Sequence, residues 1–309
     1  MRTLGLDTSN YTTSAALFDG EEGYNAGKLL EVPKGQLGLR QSEALFQHIK
    51  ALPDRMQELR KTGPLKDVAA VAASTRPREV EGSYMPCFLA GESLGRSLAH
   101  TLNVPFFAVS HQQGHLAAAA WSAGHMELLD RPFLAWHLSG GTTELLYVEP
   151  DGVNVRAEKI GGTSDISAGQ LIDRTGVLLG LAFPAGKALD RLAQCCTQRP
   201  KPLRRALTGL EFSLSGVENK VKDMVAAKEE PACVAAFCLD TVVQVVQEAT
   251  VTAQDRYPGL PVLCSGGVAS NTRLRYVLTE DCRAVFAKPQ YATDNAVGVA
   301  VLAHRLANT

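Results

Sequence analysis

Two histidines four residues apart, His111 and His115 in the stretch VSHQQGHLAA, are spaced for joint chemistry. Ser110 is suited to cap a helix, which would put both rings on one face, a turn apart. The positive end of a helix dipole disfavours imidazolium, and neutral imidazole is the form that binds a metal. Such a pair serves packing or surface roles equally well. In an HExxH zinc-protease helix a general-base Glu follows the first His; here Gln112 does, which argues against that chemistry. A third ligand has to come from another segment. Asp294 in YATDNAVGVA, just inside an expected helix start, is the candidate. A first-turn acid complementing the helix dipole is its alternative reading.

Three loops have the composition to hold an anion or a nucleotide. DTSNYT (7–12) offers Thr8, Ser9 and Asn10, and SGGTT offers Ser139, Gly140, Gly141, Thr142 and Thr143. Small side chains leave backbone N–H groups free to face a phosphate. SGGVASNTRLR (265–275) follows an apolar run and opens a helix, whose N-terminus favours a phosphate or ribose edge. Each loop alone is more often a structural turn; three at equivalent places in a repeated pattern favour a nucleotide-like ligand. Asp173 and Asp190 could hydrogen-bond a ribose or simply be helix-surface acids. Gly169 and Gly176 sit inside a helical pattern at a cost of up to ~1 kcal/mol each. A close backbone or ligand approach would explain them.

The elements that must position these residues come twice. LGLD, TSAALF and KLLEV read as three strands, the last two joined through Asp19-Gly20. From Phe133, FLAWHL, TTELLYV and VNVRAEKI repeat the pattern with Asp151-Gly152. Helices alternating with short apolar strands follow each triplet: 41–61 (broken at Pro53), 87–102 and 111–124, then 165–195, 231–256, 271–280 and 293–307. The pattern predicts an α/β chain with a duplicated actin-like ATPase (ASKHA) fold, two domains facing a nucleotide cleft. The first would span 1–125 and the second 126–309, with the C-terminal helix free to pack back on the first. Residues 196–230 read as an insertion.

A chain of 309 residues with 45% apolar residues can bury two cores. A net charge of −1 argues against a wholly nucleic-acid-binding surface. It leaves room for a local basic patch, and Arg191, Arg199, Lys201, Arg204, Arg205, Lys220 and Lys222 cluster in sequence. Seven cysteines without a CxxC pair suggest reduced thiols. The start MRTLGLDTSN lacks a signal-peptide pattern and no apolar run approaches the ~20 residues of a membrane span, so a cytoplasmic protein with no membrane association is expected. No acidic phosphate-transfer loop or sugar base speaks for a sugar kinase.

SHQQGH, SGGTTEL, AGQLIDRTGVLLGLAFPAG, FSLSGVENKV, CSGGVASNTRLR and YATDNAVGVA occur here in an order that resembles the TsaD family of tRNA N6-adenosine threonylcarbamoyltransferases. The resemblance runs from residue 3 to about 303. It implies the actin-like fold and one divalent metal, iron or zinc, on His111, His115 and Asp294. It also implies threonylcarbamoyl-adenylate or an ATP/ADP-like nucleotide as ligand. The nucleotide part would contact the Ser139–Thr143 loop, Asp173, Gly186, Asp190 and Asn271. A tRNA acceptor and accessory proteins of the threonylcarbamoyl pathway are the implied partners. The chain also departs from the family. Tyr11-Thr12 stands where the family's first loop has an acidic pair, Thr142 stands where SGGHT has His, and Asp165-Ile166-Ser167-Ala168-Gly169-Gln170 replaces DDAAGE. Ala185-Gly186 replaces a Gly pair, and Arg76-Pro77-Arg78 replaces a GPG turn.

Overall fold

Two sheets share one strand plan. A computed structural model describes residues 1–9, 11–32, 39–62 and 65–309. In the first half β1 (Arg2–Ser9), β2 (Thr12–Phe18), β3 (Gly23–Leu29), α1 (Gln41–Leu59), β4 (Val68–Arg76), α2 (Leu89–Leu102), β5 (Phe106–Ser110) and α3 (His111–Ala123) follow in order. The second continues with β6 (Phe133–Leu138), β7 (Thr143–Asp151), β8 (Asn154–Thr163), α4 (Ala168–Leu178) and α5 (Gly186–Gln194). Then come β9 (Glu211–Phe212), α6 (Ser215–Ala226), α7 (Pro231–Arg256), β10 (Val262–Ser265), α8 (Thr272–Cys282), β11 (Val285–Phe286) and α9 (Val297–Ala307). The first sheet runs β3-β2-β1-β4-β5 and the second β11-β10-β6-β7-β8-β9. Reversed and without β9, the second order reproduces the first, so the duplication is real. In each, an antiparallel hairpin (β1–β2, β6–β7) adjoins parallel pairs (β1–β4–β5, β6–β10–β11).

The chain divides into two units: Met1–Arg131 with Glu149–Ala157 and Asp294–Thr309, and Pro132–Val148 with Glu158–Thr293. The first thus takes in a short piece of the second half and α9 as well as residues 1–125. Its core gathers Leu4, Leu6, Leu17, Leu52, Val71 and Ala73 from the sheet and α1. β1 is buried on both faces, Leu4 and Leu6 on one and Thr3, Gly5 and Asp7 on the other. Glycine brings α9 in: a Cβ on Gly298 would overlap the Gly114 carbonyl of α3, and one on Gly5 would overlap the Ala300 backbone. The second core centres on Trp136, Leu145, Leu171, Val217, Val242 and Val246.

Several local expectations need correction. α1 runs through Pro53 without a break, because buried Ala44, His48, Ala51, Leu52 and Leu59 hold both of its halves to the core. The 165–195 helix is two, α4 and α5, separated by a segment containing Phe183-Pro184. The 196–230 interval is more than an insertion: Phe212, Leu214, Val217, Val221 and Met224 enter the second core. One helix, α7, does have the length and composition to cross a membrane; 78% of its apolar window is buried in the protein, so it is a core helix.

Candidate functional site

In the first unit, three elements end at one corner. β5 runs into α3 through a capping box. Ser110 Oγ accepts from Gln113 N at 3.2 Å and Gln113 Oε1 accepts from Ser110 N at 2.8 Å. This fixes the helix start, and with it the His111 and His115 rings on one face. Asp294 lies three residues before α9 rather than inside it, so it is not a first-turn acid. The segment is anchored by Asn295 Oδ1, which accepts from Val297 N, and by Ala296 N, which donates to Asn25 Oδ1. The glycine contacts of α9 with β1 and α3 then bring Asp294 to the histidines.

One ligand atom from each of His111, His115 and Asp294 lies within 4.8 Å of the other two. The pairs stand 2.9 Å apart (His115 Nε2 to His111 Nε2), 3.2 Å (His115 Nε2 to Asp294 Oδ1) and 3.7 Å (His111 Nε2 to Asp294 Oδ1). Donors roughly 2.0–2.1 Å from a tetrahedral centre stand about 3.3 Å apart, which these separations bracket. Two imidazoles and a carboxylate form a donor set that zinc and non-haem iron accept. The residues fit a divalent metal.

Behind this corner is Asp7, in the last third of β1, a residue the motif reading did not single out as functional. Its Oδ2 lies 2.8 Å from His111 Nδ1 and its Oδ1 accepts from Ser9 N. A proton on Nδ1 shared with Asp7 leaves Nε2 directed at His115, the carboxylate–histidine arrangement that orients metal ligands. Burial disfavours charge on the His111 ring, but Asp7 outweighs it and lifts the imidazolium to about 9. Burial also works against the Asp7 carboxylate, and His111 holds its pKa below the usual value. The signal was in the sequence: an acid directly after the apolar Leu4-Gly5-Leu6 of a strand needs a buried partner.

The first loop does other work than expected. Thr8 Oγ1 donates to Cys87 O and accepts from Gly91 N, so the side chain ties β1 to the start of α2 and is not available to a phosphate. Ser9 is buried with its N–H on Asp7, and Asn10 lies outside the described residues.

The second unit contains a cavity of about 240 Å³ lined by, among others, Gly140, Ile172, Asp173, Lys187, Leu239 and Asn271. Gly186 and Asp190 also line it; Ser139, Gly141, Thr142 and Thr143 do not. Thr143 Oγ1 accepts from Ala168 N at the start of α4, and Ser139 Oγ accepts from Thr142 N. These two side chains build the turn. Gly169 has no room for a Cβ because the Ser139–Gly140 backbone lies against it, and Gly176 is crowded by Ala185. Backbone and side-chain packing, not a ligand, explains both glycines. Asp173 Oδ1 accepts from Ala185 N; Asp190 accepts from Asn271 Nδ2, Thr272 N and Thr272 Oγ1. Asp190 therefore positions Asn271 at the α8 N-terminus. Ile172, Lys187 and Leu239 were missed, since nothing in the sequence marks a helix residue as a cavity wall.

Residues 35–301 match the family model of TsaD, tRNA N6-adenosine threonylcarbamoyltransferase. The chain belongs to this family. Among solved structures, all of the chain aligns with all of component A of (R)-2-hydroxyglutaryl-CoA dehydratase from Acidaminococcus fermentans, at 15% identity and a TM-score of 0.55. It aligns in full with 56% of full-length HypF in a phosphate- and nucleotide-bound form, at 14% identity and a TM-score of 0.61. EutJ, the ethanolamine utilization protein of Carboxydothermus hydrogenoformans, aligns over 98% of this chain and 90% of its own, with 14% identity and a TM-score of 0.51. These likenesses show the actin-like fold.

Within this TsaD-family chain, the position of the family's second first-loop acid falls beside the metal-fitting corner. Thr12 Oγ1 donates to Asp294 Oδ2 at 3.3 Å, while Tyr11 is exposed. Asp165, the acid retained from DDAAGE, accepts from Ser213 Oγ, Leu214 N and Ser215 N. It pins the FSLSG segment. Three members of the expected basic cluster are already paired. Arg199 forks both oxygens of buried Asp240, and Arg205 Nε donates to Ser213 O. Lys222 pairs with Glu218.

Proposed function

We propose that this chain transfers a threonylcarbamoyl group from threonylcarbamoyl-adenylate to N6 of the tRNA adenosine 3′ of the anticodon. The observation that carries the reading is the convergence of His111, His115 and Asp294, backed by Asp7, in a chain of the TsaD family. An iron or zinc ion on those three residues would supply a Lewis acid for the carbamoyl carbonyl. Asp7 holds the His111 ring in the ligating orientation, and Thr12 steadies the Asp294 carboxylate.

In the second unit, Ile172, Leu239 and Val268 offer apolar walls to a base. Asp173 and Asn271 offer ribose partners, and Lys187 is the cation for a phosphate. With both reactants held, N6 forms a C–N bond to the carbamoyl carbon as the C–O bond to the phosphate breaks. AMP leaves and N6 loses a proton. This chemistry asks for orientation and charge stabilisation rather than a strong protein base.

The test is transfer in vitro. The chain is combined with the adenylate, the accessory proteins of the pathway and tRNA lacking the modification, and the modified nucleoside is measured by mass spectrometry. Its formation supports the reading; none from protein that binds both metal and adenylate overturns it.

A second reading is a paralogue with an altered acceptor, or one that binds nucleotide and metal and acts through partner proteins. The specific observation favouring it is Tyr11-Thr12 in place of the acidic pair, with the Thr12 hydroxyl on Asp294. Metal and nucleotide binding without transfer to tRNA would select it.

A further inference from the structure

Beyond the cavity just described, a second one of about 240 Å³ in the same unit is lined by Gln194, Arg199, Arg273 and Tyr276, with Asp190 and Leu239 shared between the two. Its charge is unusual. Asp240, buried in α7, sits between two guanidinium groups: Arg199 takes both of its oxygens at 2.8 and 2.9 Å, and Arg273 Nε lies 2.7 Å from Oδ1. One carboxylate cannot neutralise two arginines, and Arg273 is half exposed. The other acid, Asp190, already accepts from Asn271 and Thr272. Exposed Arg191, Lys201 and Arg204 flank the cavity along the chain, Lys201 and Arg204 on the segment tied to α7 by Leu203 N and Thr241 Oγ1. Two guanidinium groups at the cavity thus share one buried carboxylate, and three further exposed cations lie within a few residues of its lining in sequence. Tyr276, one turn after Arg273 on α8, exposes 68% of its surface beside them.

An exposed aromatic ring among arginines is the pattern that unstacked bases and phosphates recognise. We infer that this face of α5, the 199–204 segment and α8 binds RNA, with a base stacked on Tyr276 and a phosphate on Arg273. Arg199 is a fixed positive wall, held by Asp240, and does not itself move to the ligand. This replaces the basic cluster read from sequence with a surface that omits Arg205, Lys220 and Lys222 and adds Arg273 and Tyr276. It rests on the reading of tRNA as the acceptor.

The experiment measures binding of an unmodified tRNA transcript to the full chain across a salt series, with nucleotide binding and thermal melting as folding controls. Tyr276→Ala should weaken binding roughly 5- to 150-fold, while Tyr276→Phe, which keeps the ring, stays near wild type. Arg273→Ala should lower the slope of log Kobs against log salt by about 0.7–0.9, one phosphate contact. Asp240 keeps its Arg199 partner in that variant, so the fold survives. Unchanged affinity in Tyr276→Ala and an unchanged slope in Arg273→Ala would overturn the inference, even if the chain transfers threonylcarbamoyl to tRNA. The predicted losses would uphold it even if transfer fails.

Discussion

The β1–β2 and β6–β7 hairpins occupy the same place in the two halves of a duplicated fold, yet their turns are built for different tasks. In the first, Asp7, Thr8 and Ser9 are buried, and Asp7 and Thr8 are consumed by bonds to His111, Cys87 and Gly91. In the second, the Ser139 and Thr143 side chains bond to their own turn and to α4, and a Cβ on Gly140 or Gly141 would meet open space. Gly140 is a wall of the cavity. One copy has become the back of a metal-fitting corner and the other a bare backbone edge beside a ligand-sized space. Topology sets where a site can form, and side-chain bonding sets which kind forms.

The largest effect that would break this contrast lies in the first unit. His115→Ala removes one of three donor groups, and purified variant should lose bound metal altogether while melting near wild type; metal retained at wild-type stoichiometry would exclude the ligand set. Asp7→Asn keeps the donors but not the charge behind His111. Metal affinity should fall by about 10- to 100-fold in a competition titration against a chelator. Wild-type affinity would mean that the buried carboxylate is merely structural.

The second unit should respond to shape rather than charge. A Cβ at Gly169 has to displace the Ser139–Gly140 backbone, so Gly169→Ala should cost about 1–3 kcal/mol in chemical denaturation. Gly141→Ala meets open space and should stay within about 0.5 kcal/mol of wild type. Equal losses at the two glycines would contradict the turn geometry.

The smallest effect concerns Asp165. Burial works against its charge, but the donors from Ser213, Leu214 and Ser215 prevail and hold the carboxyl far below its usual 3.8. A depressed folded pKa gives stability that is present above the unfolded value and lost as pH falls through the folded one. The melting-temperature gap between wild type and Asp165→Asn should therefore be constant above about pH 5, narrow progressively as pH falls below 3.8, and vanish only at the much lower folded value. A gap that persists into stronger acid would assign the loss to packing.

Much of this was legible from spacing. The doubled strand triplets gave away the duplication, and Ser110 with an i,i+4 histidine pair described the start of α3. Asp294 was found as a residue but misplaced as a helix acid, because the bond from Val297 N to Asn295 Oδ1 that leads into α9 is local and no periodicity encodes it. Pro53 looked like a helix break because propensity cannot register five buried neighbours on one face. Arg199 and Arg205 looked like free phosphate contacts because their partners, Asp240 and the Ser213 carbonyl, lie 41 and 8 residues away in sequence. Buried partners are what a single sequence hides best.

The central claim is that the His111–His115–Asp294 corner still serves threonylcarbamoyl transfer although Tyr11-Thr12 has replaced the acidic pair. Its most direct test is the level of N6-threonylcarbamoyladenosine in tRNA from cells depleted of their own TsaD and supplied with this chain or its His115→Ala variant. The wild-type chain should restore the modification and the variant should not. Full restoration by the variant, or none by well-expressed, metal-loaded wild type, would contradict the claim.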